Sequence, residues 1–263
     1  MWPTMIRISS REVAQRKPEN RARTGLLTKD QPIIIKEPLP QGAEMEDSVM
    51  GMPEYFHLPL IPLDLVLFPQ MEVGLRVLEE PYKHLIDRCF ENEEELGVIL
   101  FDDEGMREVG CSAKVVDVDL DQESGGEEMD ILTVGKQRFR ILQIVSDRPY
   151  LVGRVEPLED LNPQSFFKHQ TRAWDLYIKF QEILRGEQSM VDEESSFTPE
   201  DTSSLSFFLG AQCSFTSTFK QEILEGRSEE GRLDKIIQLL EKAIPQLERI
   251  QSARRKILLN GYR

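Results

Sequence analysis

Between Leu58 and Leu158 the apolar residues alternate or fall in short runs bounded by Gly, Pro and Asp, whereas from Asn162 onward they recur every three or four positions. The first spacing belongs to strands with one buried face and the second to helices with one apolar stripe. A chain whose period changes once is restricted to an α+β organisation, strands first and helices after. One interruption stands inside the strand half. The stretch "IPLDLVLFPQMEVGLRVLEEPYKHLI", residues 61–86, alternates through "MEVGLRVLE", which predicts a strand near 72–79, and then takes helical spacing behind Pro81. Proline suits the first turn of a helix, where its missing N–H would have no partner anyway. Tyr82, Leu85, Ile86, Cys89 and Phe90 supply the stripe, and Glu93, Glu94 and Glu95 oppose the helix dipole, so this helix should end near Asn92.

The remaining strand signals are "LGVILFD", then "AKVVDVDLD" with Val116, Val118 and Leu120 on one face and Asp117, Asp119 and Asp121 on the other. A hairpin turn is expected at "ESGG", residues 123–126, followed by "EMDILTVG", "QRFRILQIVSD" and "PYLVGRVEPLE". Six or so strands with one helix among them imply a curled, mostly antiparallel sheet or an open barrel. Beyond it, Phe167, Trp174, Tyr177, Ile178, Gln181 and Leu184 line a helix ended by Gly186. A short helix capped by Asp201 or Thr202 follows, then one closed by Gly226. The last helix runs from about Arg232 to Leu259, with Leu233, Ile237, Leu240, Ile244 and Leu247 spaced as a coiled-coil or bundle seam and Pro245 expected to kink it.

At 263 residues the chain suits one or two domains. Three divisions are expected: residues 1–53 as a dispensable extension, 54–160 as the strand domain, and 161–263 as the helical part. The extension has no sustained period. A mobile tail, an organelle transit peptide carrying Arg7, Arg11, Arg16, Lys17, Arg21 and Arg23, and a mis-called start ahead of Met45, Met50 or Met52 all fit it. The apolar runs fall well short of the roughly 20 residues of a membrane helix, and no early apolar region marks a secretory signal, so a cytoplasmic protein without a membrane partner is expected. The formal charge of −15 is concentrated in residues 54–160, which hold 25 acids against 10 bases. Such a module repels a phosphate backbone, and nucleic acid is a disfavoured partner.

Taken in chain order, "LPLIPLDLVLFPQMEVGLRVLEEPYKHLI", "LGVILFD", "REVGCSAKVVDVDLD" and "DILTVGKQRFRILQIVSDRPYLVGRVEPLED" resemble the N-terminal substrate-binding domain of Lon proteases, in its short stand-alone version. In the helical half "LSFFLGAQCSFTSTFKQEILEGRSEEGRLDKIIQLLEKAI" looks like that family's helical subdomain. The resemblance implies a PUA-like antiparallel β pseudobarrel with one inserted helix, followed by a helical bundle. It departs from the family in three places: Pro81 is displaced by one residue, Gln70 stands where glycine is common, and Gly74 where proline is common.

Catalytic chemistry finds no foothold. The single Gly-Lys pair, Gly135-Lys136, is followed by Gln137 rather than Ser or Thr, so no phosphate-cradling GxxxxGK[ST] loop is present, and a glycine-dependent tight turn is expected there instead. No GxSxG elbow occurs. Cys89, Cys111 and Cys213 form no CxxC unit, and His57, His84 and His169 form no HExxH pairing, so neither metal nor cofactor is expected. "KQRFRIL" invites an RNA reading, the alternative function. Alternation, however, puts Phe139 on the core face, with Arg138 and Arg140 placed to pair with acids such as Asp117 or Asp119. The expected function is a non-enzymatic peptide- or protein-binding module, an adaptor or chaperone-like holder in protein quality control, with client polypeptides and a protease as partners. Its client would seat on an open sheet edge or in a groove between the sheet and the helices, with Tyr82, Lys83 and His84 at the rim. Oligomeric state is left open.

Overall fold

The computed structural model describes residues 55–120, 128–147, 149–161, 167–185 and 204–260. The chain divides into two compact units, one ending at Leu158 and one starting at Glu159.

The first unit contains β1 (Phe56–Leu63), β2 (Glu72–Val77), α1 (Glu80–Glu91), β3 (Glu95–Asp102), β4 (Gly105–Leu120), β5 (Met129–Ser146) and β6 (Leu151–Pro157). They form one six-stranded sheet in the order β2-β5-β4-β3-β1-β6, and a further β5–β6 pairing closes five of the strands into a circuit. Among the described residues, β2 alone stands outside that circuit, hydrogen-bonded on one side to β5. The sheet is mostly antiparallel, as expected from the sequence, and is made mixed by one pair, β1 and β3, which run parallel with Leu60 facing Gly97 and Leu63 facing Leu100. Parallel neighbours require a long crossover, and β2 with α1 supplies it.

Pro81 sits in the first turn of α1 and Asn92 caps its end, where Arg88 in the last turn complements the dipole. Tyr82, Leu85, Ile86 and Cys89 enter the main core with Leu75, Val77, Val115, Met129 and Ile131. Phe90, placed in that stripe by its spacing, is exposed, the core contacts of α1 ending at Cys89. A second cluster gathers Leu58, Leu60, Ile99, Phe139, Leu151 and Val155.

The alternation read through "AKVVDVDLD" is broken by a β-bulge. Val115 faces Thr133 and Asp117 faces Leu132, so Val116 has no partner of its own. Cys111, Ala113 and Val115 are therefore buried before the bulge and Val118 half-buried after it, while Val116 is 43% exposed. The turn expected at 123–126 and the side chain of Leu120 lie outside the described residues.

Gln70, in the link between β1 and β2, has φ of +64°, a left-handed conformation that costs a residue with a Cβ about 1–2 kcal/mol. Glycine removes that strain at a smaller entropic cost in the unfolded chain. Gln70→Gly is accordingly expected to raise stability by about 0.5–1 kcal/mol in urea unfolding; a loss would show that the exposed Gln70 side chain contributes more than its backbone strain.

All three cysteines are buried and unbridged. Burial pushes the Cys89 thiol up to about 11 and the Cys111 and Cys213 thiols up to about 12, from 9.0. The folded state thus favours the protonated thiols. Their contribution to stability is complete below pH 9 and is lost as pH rises through 11–12. Native protein at pH 8 should react with a thiol reagent far more slowly than unfolded protein, and its melting point should drop between pH 9 and 11; prompt labelling of all three thiols at pH 8 would contradict the burial.

The second unit holds α2 (Phe167–Arg185), α3 (Leu205–Gln212), α4 (Ser217–Glu225) and α5 (Glu229–Asn260). Ion pairs Arg172–Glu241 at 2.7 Å and Lys179–Glu248 at 2.9 Å share one offset, so α2 and α5 run parallel. Ala173 and Leu176 are the buried residues of α2, with Trp174 and Tyr177 packed by their rings against Phe208, whereas Ile178 and Leu184 are exposed. Gly186 lies outside the described residues. On α5 the buried line is Leu233, Ile236, Leu240 and Ile244, Ile236 taking the place expected for Ile237, and the helix continues through Pro245.

Asp201 and Thr202 also lie outside the described residues; Ser204 is the N-cap of α3, and the cap bond comes from elsewhere, the Glu229 carboxylate accepting from the Ser206 N–H at 2.9 Å. Glu229 belongs to a buried cluster around Arg232, whose side chain is 1% exposed. Its guanidinium donates to both oxygens of Asp160 at 2.7 Å, to Glu229 at 2.6 Å, to Ser206 Oγ at 2.7 Å and to the Gly226 carbonyl at 2.8 Å. It also stacks 4.3 Å over the Phe207 ring. Gly226 does close α4, in an extended rather than a left-handed conformation.

Candidate functional site

The outer edge of β2 and the start of α1 form the candidate site. At an edge strand one row of backbone N–H and C=O groups is left without a strand partner, which makes it a template for another chain. Val77 turns inward at the end of β2, Leu78 remains exposed, and Glu79 and Glu80 lead into α1. A cavity of about 390 Å³ opens there, lined by Leu78, Glu80, Lys83 and Glu128.

Arg76 on β2 faces Asp130 on β5 and binds it through two bonds of 2.7 and 2.8 Å, with a third to Glu128 at 2.6 Å. Lys83 reaches back one turn to Glu80 at 2.7 Å, and this bond holds the Glu80 carboxyl below its usual range. Both cations of the edge are thereby engaged by carboxylates of the chain itself.

The three residues expected at a binding rim are dispersed. Tyr82 is 5% exposed and packs in the core, and burial, with Glu79 nearby, pushes its phenol up to about 12. Lys83 lines the cavity although it is 7% exposed, and His84 faces solvent on the next position of the helix. Of the three, Lys83 alone borders the cavity; no local pattern singles out Arg76, Leu78, Glu128 or Asp130. The pairing of Arg76 with Asp130 depends on the β2–β5 register, and opposite charges more than fifty residues apart carry no local signal of it.

"KQRFRIL" forms the middle of β5. Phe139 is 1% exposed and Arg138 5%, so neither offers a face on which a base could stack. The expected pairing with Asp117 or Asp119 is corrected by the register: Arg138 faces Cys111 and Arg140 faces Val109 and Glu156. Asp117 and Asp119 lie opposite Leu132 and Asp130, about 20 Å or more along β5.

Gly135 is not in a turn but inside β5, without a positive φ. Backbone approach demands glycine here: a Cβ would stand 2.1 Å from the Phe68 carbonyl oxygen. The link from β1 to β2 is laced to this residue by Gln70 N–H to the Gly135 carbonyl at 2.8 Å and Gly135 N–H to the Met71 carbonyl at 2.9 Å. Among the described residues, no group of three or more His, Cys, Asp or Glu side chains could hold a metal ion, and no helix is long and apolar enough to cross a membrane.

The family described as the ATP-dependent protease La (LON) substrate-binding domain matches residues 57–242. Lon protease of Syntrophus aciditrophicus is 24% identical over 233 residues, 81% of this chain and 28% of that protein. The chain thus spans well under half the length of the curated relatives it matches. Two solved structures share the fold. The Lon N-terminal domain protein from Xanthomonas campestris has a TM-score of 0.53 at 22% identity, over 69% of this chain and 96% of its own. The N-terminal domain of Mycobacterium avium complex Lon protease has the same score at 18% identity, over 70% and 98%.

Proposed function

Because the chain belongs to the Lon protease substrate-binding domain family, we propose that it is a polypeptide-recognition module, holding extended client segments without cutting them. The family match over residues 57–242 carries this reading. The site described above supports it physically, since a client strand laid along β2, which among the described residues stands outside the strand circuit, would extend the sheet, with a client side chain entering the cavity beside Leu78. The five-strand circuit with α1 inserted suits the PUA-like pseudobarrel class. In this role the protein acts in the cytoplasm as an adaptor or holder, delivering clients to a protease.

Fluorescence anisotropy with labelled lysozyme, reduced and carboxamidomethylated so that it stays unfolded, tests the reading. Binding of the unfolded probe is expected, with folded lysozyme ignored, structured RNA unshifted at physiological salt, and casein and ATP hydrolysed no faster than in a matched blank. Hydrolysis above that blank would overturn the non-enzymatic role, and a shift of RNA without binding of the unfolded chain would overturn polypeptide recognition.

A further inference from the structure

Resting on that reading, the charge around the β2 edge selects among clients. Glu72 is exposed at the start of β2, and Glu79 and Glu80 follow its end. Glu128 and Asp130 stand beside the strand on β5. Against these five carboxylates the edge has, among the described residues, two cations, Arg76 and Lys83, and both are held in short ion pairs. The row that crosses the sheet from Arg76 to Asp130 ends on β4 at Asp119, directly opposite Asp130. Like charges facing each other across a ladder are unfavourable, and the single guanidinium of Arg76 is already shared between Asp130 and Glu128. A negative excess is therefore built around β2, which among the described residues is the strand standing outside the circuit, next to a cavity walled in part by the apolar side chain of Leu78.

We infer that the preferred occupant of the β2 edge is an extended segment of an unfolded client in which Lys or Arg alternates with apolar residues. Main-chain hydrogen bonds to β2 would be common to every client. Ammonium or guanidinium groups of the added strand would reach Glu72 at the start of β2 and Glu79 past its end, while its apolar side chains would meet Leu78 and the sheet. At physiological salt, screening reaches about 8 Å, so carboxylates lining the edge act on the client and the remaining acids of the chain act little.

The test uses the full chain and three labelled peptides that share the same apolar residues and carry Lys, Gln or Glu at the alternate positions, with unfolded lysozyme as reference. The Lys peptide is expected to bind about tenfold tighter than the Gln peptide and to outbind the Glu peptide further, the differences shrinking at high salt. Glu72→Lys with Glu79→Lys, both side chains outside the ion pairs described, should reduce the Lys preference several-fold, and Glu182→Lys on α2 should leave it unchanged. Equal binding of the three peptides while unfolded lysozyme still binds would overturn the charge selection alone. An equal response to Glu182→Lys would overturn its placement at β2. Failure of unfolded lysozyme itself to bind would instead remove the polypeptide-recognition reading beneath it.

Discussion

Replacing Arg232 with methionine is expected to destabilise the helical unit by about 3–5 kcal/mol, more than any other substitution proposed for this protein. The guanidinium is 1% exposed and its partners Asp160 and Glu229 are 22% and 12% exposed, so methionine would leave two largely buried carboxylates without a counter-charge. Burial by itself disfavours the charged guanidinium, and the bonds to Asp160 and Glu229 outweigh it, raising its affinity for the proton. Lysine keeps the charge but presents one ammonium where the fork reaches Asp160 through both oxygens, Glu229, Ser206 and Gly226 at once. Arg232→Lys should consequently recover less than half of the loss. Urea unfolding followed by far-ultraviolet circular dichroism would measure both variants. A cost below about 1 kcal/mol for Arg232→Met would mean that the two carboxylates find water or protons easily, and that the cluster is not what holds residues 159–161 to α3 and α5.

Gly135→Ala is expected to cost about 3 kcal/mol, at the upper end for a one-carbon overpacking. The added carbon would meet a backbone carbonyl, that of Phe68, at 2.1 Å, and a main-chain atom has no rotamer by which to move aside. Relief must come from shifting the link between β1 and β2, which breaks the two hydrogen bonds between Gly135 and residues 70 and 71. Faster hydrogen exchange at the Gln70 amide should accompany the stability loss. Gly231→Ala provides the contrast: in the first turns of α5 its nearest new neighbour is 3.8 Å away, and alanine should stabilise by about 0.5–1 kcal/mol. A Gly135→Ala protein as stable as the parent would show that the link is free to lift away from β5.

Periodicity located the helices and most strands, because spacing of apolar residues is a local property; it missed β1, whose pattern Pro59 and Pro62 interrupt, and split β5 in two at Gly135. What it could not show was which elements are neighbours. The parallel β1–β3 pair depends on the crossover through α1, and the bulge at Val116 depends on how many residues of β4 oppose β5. Both are decisions between strands. The same limit explains the candidate site: Tyr82 follows the helical stripe into the core, as its spacing required, so a rim role and a core role could not both hold for it. Of the Arg232 partners only Glu229, three residues earlier on the same helix, is within reach of local spacing; Asp160 and Ser206 come from other segments and leave no sequence signal. At Gly135 the residue type suggests a turn and the cause is different, because close approach of a second backbone segment leaves no trace in the local sequence. At Gln70, where the resembled family commonly has glycine, the structure holds a left-handed backbone that glycine adopts without strain, a link not drawn from the sequence.

The circuit of strands closes with β6, whose Val155 pairs with Phe56 at the other end of the unit and whose Gly153 pairs with Ile144. A ribosome delivers β1 first and β6 last, so the nascent chain carries β1 with its seat for β6 empty while residues 64–150 are made, and the far half of β5 joins it only shortly before β6 follows. Those bare ladders are adhesive. The ring of this unit can therefore lock only once residue 157 has cleared the exit tunnel, and until then β1 needs cover.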